Sequence, residues 1–283
     1  MKELQGRVAV ITGSGGGIGE GLALAAADAG MKVVCADIEA GNVERVAEAV
    51  RAGGGEAIGV ACDVSSAEAV EGLADQAFSA FGGAHLLCNN AGVLVNGPLA
   101  ESSPEDWSWL LDVNLKGVMN GVRAFVPRMR EQGGRGHILN TGSLASLLPL
   151  ESTGIYCVTK YSVLAISEVL SQELAPDGIG VSILCPGGVD TQINQAARNR
   201  PEALGGPDAS PDALTVAEEA QKLDLGGELS RVLSPREVAD IALAGVQAGE
   251  LYIPTHPAWK SAVGDRFSRI LQGFDGTAAR LAE

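Results

Sequence analysis

The stretch Thr12-Gly13-Ser14-Gly15-Gly16-Gly17-Ile18-Gly19 decides the fold of this 283-residue chain. It leaves the short apolar run Arg7–Thr12 and enters Ile18–Ala29, an alanine- and leucine-rich run of helical period. A strand that passes through glycines directly into a helix opens a βαβ unit. Glycine suits such a turn because the chain bends sharply, the backbone must let a ligand come close, and the helix must pack tightly on the sheet. The helix N-terminus then offers unpaired N–H groups and the positive end of its dipole. A diphosphate can bind there without any basic patch.

Glycine accounts for 38 residues of the chain, so the motif alone is weak and its surroundings carry the weight. Eighteen residues beyond Gly19, Asp37 ends the next apolar run, Lys32–Asp37, with Ile38 beside it. By itself Asp37 reads equally well as a solvent-facing residue at a strand end. Within a βαβ unit, a carboxylate there accepts hydrogen bonds from the adenosine ribose and repels a 2′-phosphate. The glycine turn and the residues just after Asp37 also lack Arg and Lys. Both features favour NAD over NADP. The GxxxxGK[ST] and GxSxG patterns are absent, which removes support for nucleotide hydrolysis and serine-esterase chemistry.

Outward from this turn the chain keeps alternating β-rich and helical runs. Strands are expected at Arg7–Thr12, Lys32–Asp37, Glu56–Cys62, His85–Asn89, Gly136–Thr141, Gly180–Cys185 and Glu250–Ile253. Helices are expected at Ile18–Ala29, Val43–Arg51, Ala67–Phe81, Glu105–Glu131, Ile155–Leu174 and Pro235–Ala248, with Ser66, Ser103 and Ser234 as N-caps. Pro127 should kink or shorten the long helix that contains it. The pattern predicts one α/β domain over residues 1–283, a Rossmann fold whose doubly wound, seven-stranded parallel sheet is flanked by helices. The segment at about 192–232 breaks the rhythm with Arg200-Pro201, Gly205-Gly206-Pro207 and Ser210-Pro211, and is expected to form a substrate lid or a disordered loop.

Hydrophobic residues make up 46% and charged residues 19%, ample for a large core. The net charge of −15 argues against nucleic acid and anionic membranes as partners and leaves small molecules. No apolar run spans a bilayer and the start lacks a signal-peptide pattern, so the cytoplasm is the expected location. The five cysteines have no CxxC spacing and read as reduced, structural thiols, and the three histidines are isolated, so no metal is expected.

Several motifs in order make the chain similar to the short-chain dehydrogenases/reductases of the classical type over nearly its whole length. They are the TGxxxGxG spacing of Thr12, Gly13, Gly17 and Gly19; Asp63-Val64; Asn89-Asn90-Ala91-Gly92; Asn114; Ser143; Tyr156-Cys157-Val158-Thr159-Lys160; and Pro186-Gly187 with Val189 and Thr191. The resemblance implies a catalytic set of Asn114, Ser143, Tyr156 and Lys160. It also implies an NAD site formed by Gly13, Ser14, Gly17, Ile18, Gly19, Asp37, Ile38, Asp63, Val64, Asn90, Ala91, Gly92, Tyr156, Lys160, Pro186, Gly187, Val189 and Thr191. Family members are commonly homotetramers, which sets the expectation of a homotetramer or homodimer paired through the Glu105–Glu131 and Ile155–Leu174 helices. The Asn114–Met129 stretch and Leu251-Tyr252-Ile253 also resemble dehydrogenases that oxidise the benzylic alcohol of lignin-type aryl ethers.

The residues themselves agree with that chemistry. Tyr156 and Lys160 are four apart on an expected helix, so they share one face. A free tyrosine titrates near 10, and a neighbouring ammonium lowers it towards useful base strength at neutral pH. Ser143, ending the fifth strand, can hydrogen-bond a substrate oxygen, and the family resemblance implies that Asn114 helps hold a water in a proton path through Lys160. Each also has a bland reading, as packing residue, solvated neighbour, cap or turn residue, and it is their joint order that outweighs it. Leu144, Leu147, Leu148, Leu150, Leu94 and Val95 are expected to border an apolar pocket without an Arg or Lys clamp, suited to a hydrophobic secondary alcohol or ketone. Trp107 and Trp109, two apart, cannot share a helix face, so one should point away from the core. The competing readings are an NADPH-dependent carbonyl reductase and a non-catalytic NAD-binding sensor.

Overall fold

The computed structural model describes residues 1–133, 135–209 and 231–282. Seven strands, β1 (Val8–Thr12), β2 (Lys32–Asp37), β3 (Ala57–Ala61), β4 (Leu86–Asn89), β5 (His137–Thr141), β6 (Gly180–Cys185) and β7 (Tyr252–Pro254), form one parallel sheet in the order β3-β2-β1-β4-β5-β6-β7. In register, Ile11 of β1 lies between Cys35 of β2 and Cys88 of β4. The chain therefore winds outward in both directions from β1, as the βαβ pattern predicts. Their C-terminal ends form the crevice where such sheets bind ligands.

Side chains alternate across this sheet, and helices cover both faces. Ala9 and Ile11 pack with Leu22 and Ala26 of α1 (Gly17–Asp28), Val43 and Val46 of α2 (Ala40–Ala52), and Val238 and Leu243 of α7 (Pro235–Ala248). Val8 and Val10 face the other way, onto Val70 and Leu73 of α3 (Ala67–Phe81) and Phe125 and Met129 of α5 (Gly117–Glu131). α6 (Gly154–Glu173) follows β5. Ser66, Ser103 and Ser234 cap α3, α4 (Pro104–Leu110) and α7 as expected, each accepting a backbone N–H three residues on.

Two expectations need correction, and for Pro127 one of its two alternatives, the shortening, drops out. The single helix at Glu105–Glu131 is in fact α4, a wide π turn over Leu111–Lys116, and α5. Its cause is Asn114, whose buried side chain is drawn inward to hydrogen-bond the Val93 backbone, and an i→i+5 turn absorbs the extra residue. Pro127 does not shorten α5, which continues to Glu131 because Val126 and Met129 on either side are buried and hold that turn. A further helix, α8 (Lys260–Leu281), was not foreseen: its apolar residues do recur at helical spacing, but Gly264, Gly273 and Gly276 weaken the signal. The remaining differences are shifts of one to three residues at element ends, as at β3 and β7.

All five cysteines are buried and unpaired. Among the described residues no cluster of His, Cys, Asp and Glu could hold a metal, and no helix is long and apolar enough to cross a membrane. Residues 210–230 of the expected lid lie outside the described residues. Its described part forms short 3₁₀ turns at Ile193–Asn199 and Glu202–Leu204.

Candidate active site

A cleft of about 390 Å³ opens over the C-terminal ends of β1, β2, β4, β5 and β6. At one end is the glycine turn. Gly13 has φ +66°, and a Cβ there would come within 2.7 Å of the Ala91 Cα, so only glycine lets this turn lie against the end of β4. Ser14 faces away from the cleft and donates its hydroxyl to the Ala36 carbonyl at 3.2 Å. Gly19 lies behind the turn, where a Cβ would strike the Gly13 carbonyl. Gly13, Gly17 and Ile18 line the cleft directly. Gly16, the N-cap of α1, has no side chain to occupy the free N–H groups of the first turn.

Asp37 holds the edge of this region in place. Its Oδ2 accepts the Gly15 N–H at 2.8 Å and its Oδ1 accepts the Glu39 N–H at 3.0 Å. The carboxylate is thus fixed beside the turn, with half-exposed Ile38 next to it. Asp63 and Val64 border the same end, and Asn90, Ala91 and Gly92 form the floor. The Asn90 amide donates to the Thr12 and Gly13 carbonyls, and its Oδ1 accepts the Thr141 hydroxyl, tying β1, β4 and β5 together. This small-residue cradle, with free helix N–H groups at one end and the fixed Asp37 carboxylate beside the turn, fits a dinucleotide.

At the other end lie Ser143, Tyr156 and Lys160. Lys160 is buried, donates to the Thr141 carbonyl at 2.8 Å and sits 5.4 Å from the centre of the Tyr156 ring. Burial pushes its ammonium down from its ordinary 10.5 to about 8, so it remains mostly charged at neutral pH. Ser143 Oγ accepts the Ala145 N–H at 3.1 Å, which fixes the hydroxyl oxygen and leaves its hydrogen to donate outward. Asn114 lies behind this pair: Oδ1 accepts the Val93 N–H at 2.8 Å, while Nδ2 donates to the Val93 carbonyl at 2.9 Å and Thr159 Oγ1 at 3.2 Å. The structure thus brings the four expected residues together from two elements, the π turn and α6, and the loop after β5.

Pro186, Gly187, Val189 and Thr191 form the far wall. The Gly187 N–H donates to Thr255 Oγ1 at 3.3 Å and His256 Nδ1 at 3.2 Å, two residues some seventy positions away that motif reading did not single out. Burial lowers the His256 pKa below its ordinary value, and its Nε2–H donates to the Arg231 carbonyl at 3.0 Å, which leaves Nδ1 the acceptor.

The apolar lining differs in part from expectation. Leu94, Leu144 and Leu150 face the cleft. Leu147 packs against Val163 and Ile183 instead, Leu148 is buried, and Val95 joins Trp109, Leu110 and Ile155 in a separate cluster. Trp109 is the buried tryptophan of the pair and lines the cleft, whereas Trp107 is only partly covered. Trp259 contributes a second indole, and no motif marked it. Two arginines do reach the lining, Arg198 and Arg231, but both carry carboxylate partners, Glu39 at 2.9 Å and Glu237 at 3.0 Å.

The 3₁₀ turns after β6 cross the cleft and are pinned at both ends. Glu39 Oε1 accepts from Asn199 at 2.8 Å and Arg198 at 2.9 Å, and these bonds hold its carboxyl below the usual range. Arg200, almost wholly buried, donates to Asp106 Oδ1 at 2.6 Å and lies 5.5 Å from the Trp109 ring. These contacts join residues 94 to 160 positions apart, so no local pattern announces them.

Comparison with known proteins shows the family. Residues 7–202 match the family model described as short chain dehydrogenase. The chain is 34% identical to the C alpha-dehydrogenase of Sphingobium sp. (strain NBRC 103272 / SYK-6) over 272 residues, 96% of this chain and 87% of the relative. It is 38% identical over 216 residues to the 1-deoxy-11-beta-hydroxypentalenate dehydrogenase of Streptomyces exfoliatus, covering 76% of this chain and 78% of that protein. Among solved structures, a short chain dehydrogenase/reductase from Burkholderia phymatum in complex with NAD superposes with a TM-score of 0.88 at 42% identity, covering 96% of this chain and 97% of that one.

Proposed function

The chain belongs to the short chain dehydrogenase family, and from that premise we propose that it is an NAD-dependent oxidoreductase interconverting a hydrophobic secondary alcohol and its ketone, with Tyr156 as acid/base. The observation that carries this reading is the shared cleft: Tyr156, buried Lys160 and Ser143 open onto the same space as the glycine turn and Asp37.

The turn at Gly13, Gly17 and Ile18 would hold the diphosphate, with Ser14 and Gly19 shaping it from behind. Asp37 and Ile38 would take the adenosine ribose, Asp63 and Val64 the adenine, and Asn90, Ala91 and Gly92 with Pro186, Gly187, Val189 and Thr191 the nicotinamide half. When bound, the dinucleotide supplies a hydride acceptor or donor. In oxidation Tyr156 takes the alcohol proton; in reduction it returns that proton to the ketone oxygen. Lys160 favours the phenolate through its positive charge and, with one N–H spent on Thr141, has two left to orient the nicotinamide ribose and to pass a proton onward. Ser143 donates its hydroxyl hydrogen to the substrate oxygen. Both Nδ2 donors of Asn114 are spent, so it would hold a water of the proton path as an acceptor while bracing Val93.

Trp109, Trp259, Leu94, Leu144 and Leu150 favour a bulky apolar substrate, and the similarity to a C alpha-dehydrogenase makes benzylic alcohols of aryl ethers the first class to try. The turns at Ile193–Leu204 would act as its lid. We also propose assembly as a homotetramer or homodimer, on the resemblance to family members that commonly assemble so.

The test is a titration with NADH and with NADPH, followed by nicotinamide fluorescence, in the wild type and in Asp37→Ala. Much tighter NADH binding that the substitution erases supports the reading; preference for NADPH makes the chain a carbonyl reductase instead. A panel of benzylic, cyclic, steroid and short aliphatic alcohols with NAD⁺ then tests the substrate class, and turnover only outside the benzylic members removes the aryl assignment. No turnover of any alcohol or ketone, with NADH bound, would leave the sensor reading.

A further inference from the structure

Four asparagines line the cleft, and three of them are engaged. Asn42 donates to Glu39 Oε2 at 2.6 Å, Asn199 donates to Glu39 Oε1 at 2.8 Å, and the Asn90 amide ties β1 to β4 and β5. Asn194 is the exception. Its Oδ1 is buried, and among the described residues no N–H or O–H donates to it. A buried amide oxygen without a donor forfeits the hydrogen bond that water gives it in the unfolded chain, so such atoms are nearly always met by a partner. Asn194 lines the cleft, and a bound ligand is the partner that can reach it there.

The chain path fixes which part of the cleft this is. Three residues earlier, the Thr191 methyl stands 3.1 Å from the point where a Cβ on Gly17 would lie, so the segment starts over the glycine turn. Two residues later, buried Ala196 joins the cluster of Trp109 and Ile155, against which the Tyr156 ring packs. Asn194 therefore sits where the chain crosses from the dinucleotide end to the reactive end, between two apolar lining residues, Ile193 and Ala196. The polar groups around the reactive end already have tasks. Ser143, Tyr156 and Lys160 serve the reacting oxygen and the cofactor, and the Asp112 carboxylate accepts from Lys116 and Ser108.

An amide oxygen accepts and cannot donate. A carboxylate, a phosphate or an ether oxygen on the substrate would bring it no hydrogen, whereas a hydroxyl would. Resting on the reading of this site as an alcohol dehydrogenase, we propose that Asn194 recognises a second hydroxyl on the substrate. The substrate class is then an apolar secondary alcohol that carries one further hydrogen-bond donor, on its side chain as a diol or on its ring as a phenol.

The test measures ketone binding by calorimetry to the full chain saturated with whichever oxidised dinucleotide it binds. Ketone and dinucleotide are both oxidised, so no hydride passes and the readout does not depend on turnover. The probes are pairs that exchange hydroxyl for methyl: α-hydroxyacetophenone against propiophenone, and para-hydroxyacetophenone against para-methylacetophenone. In the wild type the hydroxyl member of one pair should bind about 10- to 100-fold more tightly than its methyl partner, and which pair does so places the donor on side chain or ring. Asn194→Leu, on a half-buried 3₁₀ turn, should bring that ratio to within about threefold of one, while Asn194→Asp, which still accepts, should keep it; dinucleotide affinity should change less than about threefold in both. Ratios near one in both pairs, a ratio that survives Asn194→Leu, loss of the ratio in Asn194→Asp, or failure of every ketone to bind overturns the proposal. If Asn194→Leu weakens the dinucleotide more than about tenfold and leaves the ratio unchanged, the amide holds the cofactor instead, which equally overturns it. Turnover of the matching alcohols is scored apart: hydroxyl preference without turnover sinks only the dehydrogenase reading, and turnover without the preference sinks only the role of Asn194.

Discussion

Replacing Lys160 with methionine should make this protein more stable at neutral pH while abolishing its activity. The buried ammonium is held at about 8 against an ordinary 10.5, and burial is the cause. At about 1.4 kcal/mol per pH unit, that gap puts the cost of the buried charge near 3 kcal/mol. Below pH 8 the lysine is protonated in both folded and unfolded chains, and the folded chain bears the whole cost. Between about 8 and 10.5 the folded chain loses its proton first and binds fewer protons than the unfolded one, so stability rises with pH, and above 10.5 the cost is gone. Methionine fills similar space without the charge, but it forfeits the hydrogen bond to the Thr141 carbonyl, about 1–2 kcal/mol. Lys160→Met should therefore gain about 1–2 kcal/mol at pH 7, roughly 2–6 °C in Tm for a chain this long. The gain should fade above pH 8 and reverse by about pH 10.5. Urea unfolding of wild type and variant without nucleotide, at half-unit steps from pH 6.5 to 10.5, measures the difference. A variant less stable at pH 7, or a difference that stays flat across this range, would refute the reasoning.

Tyr156→Phe keeps the ring in its cluster with Val93 and Ile155 and removes only the hydroxyl, so turnover should fall by about 10²–10⁴-fold while NADH affinity changes less than threefold; steady-state kinetics beside a fluorescence titration checks both. Asn114→Ala strands the buried Val93 N–H and carbonyl, and should lower stability by about 2–4 kcal/mol and loosen the Leu111–Lys116 turn, which urea unfolding and amide exchange at Val93 would read. Arg200→Met leaves Asp106 without its buried partner, so the 193–204 turns should come away from α4; the expected sign is a rise in KM for bulky alcohols with NADH affinity nearly unchanged, and an equal loss of both would place the arginine elsewhere in function.

Much of this protein is written locally, and those parts are legible in the residues. The glycine turn, the alternation of apolar strands with helical runs and the serine caps each involve neighbours within a few positions, so propensity and period specify them directly. The pairing of Tyr156 with Lys160 is likewise local, four residues on one helix. The charge state of Lys160 is not: only burial beside the Thr141 carbonyl sets it near 8. Nor is the π turn at Leu111–Lys116, which exists because Asn114 meets Val93 across 21 positions. The clasp of Glu39 by Arg198 and Asn199, the support of Gly187 by His256, and the indoles of Trp109 and Trp259 in one cleft all join distant parts of the chain. By itself the sequence determined a dinucleotide-type sheet and the candidate reactive groups at its edge, because those depend on neighbouring residues. Tertiary structure alone decided how deeply each group is buried, which apolar side chains face the cleft and which cleft amide is left unpaired, because those depend on what the folded chain places against them.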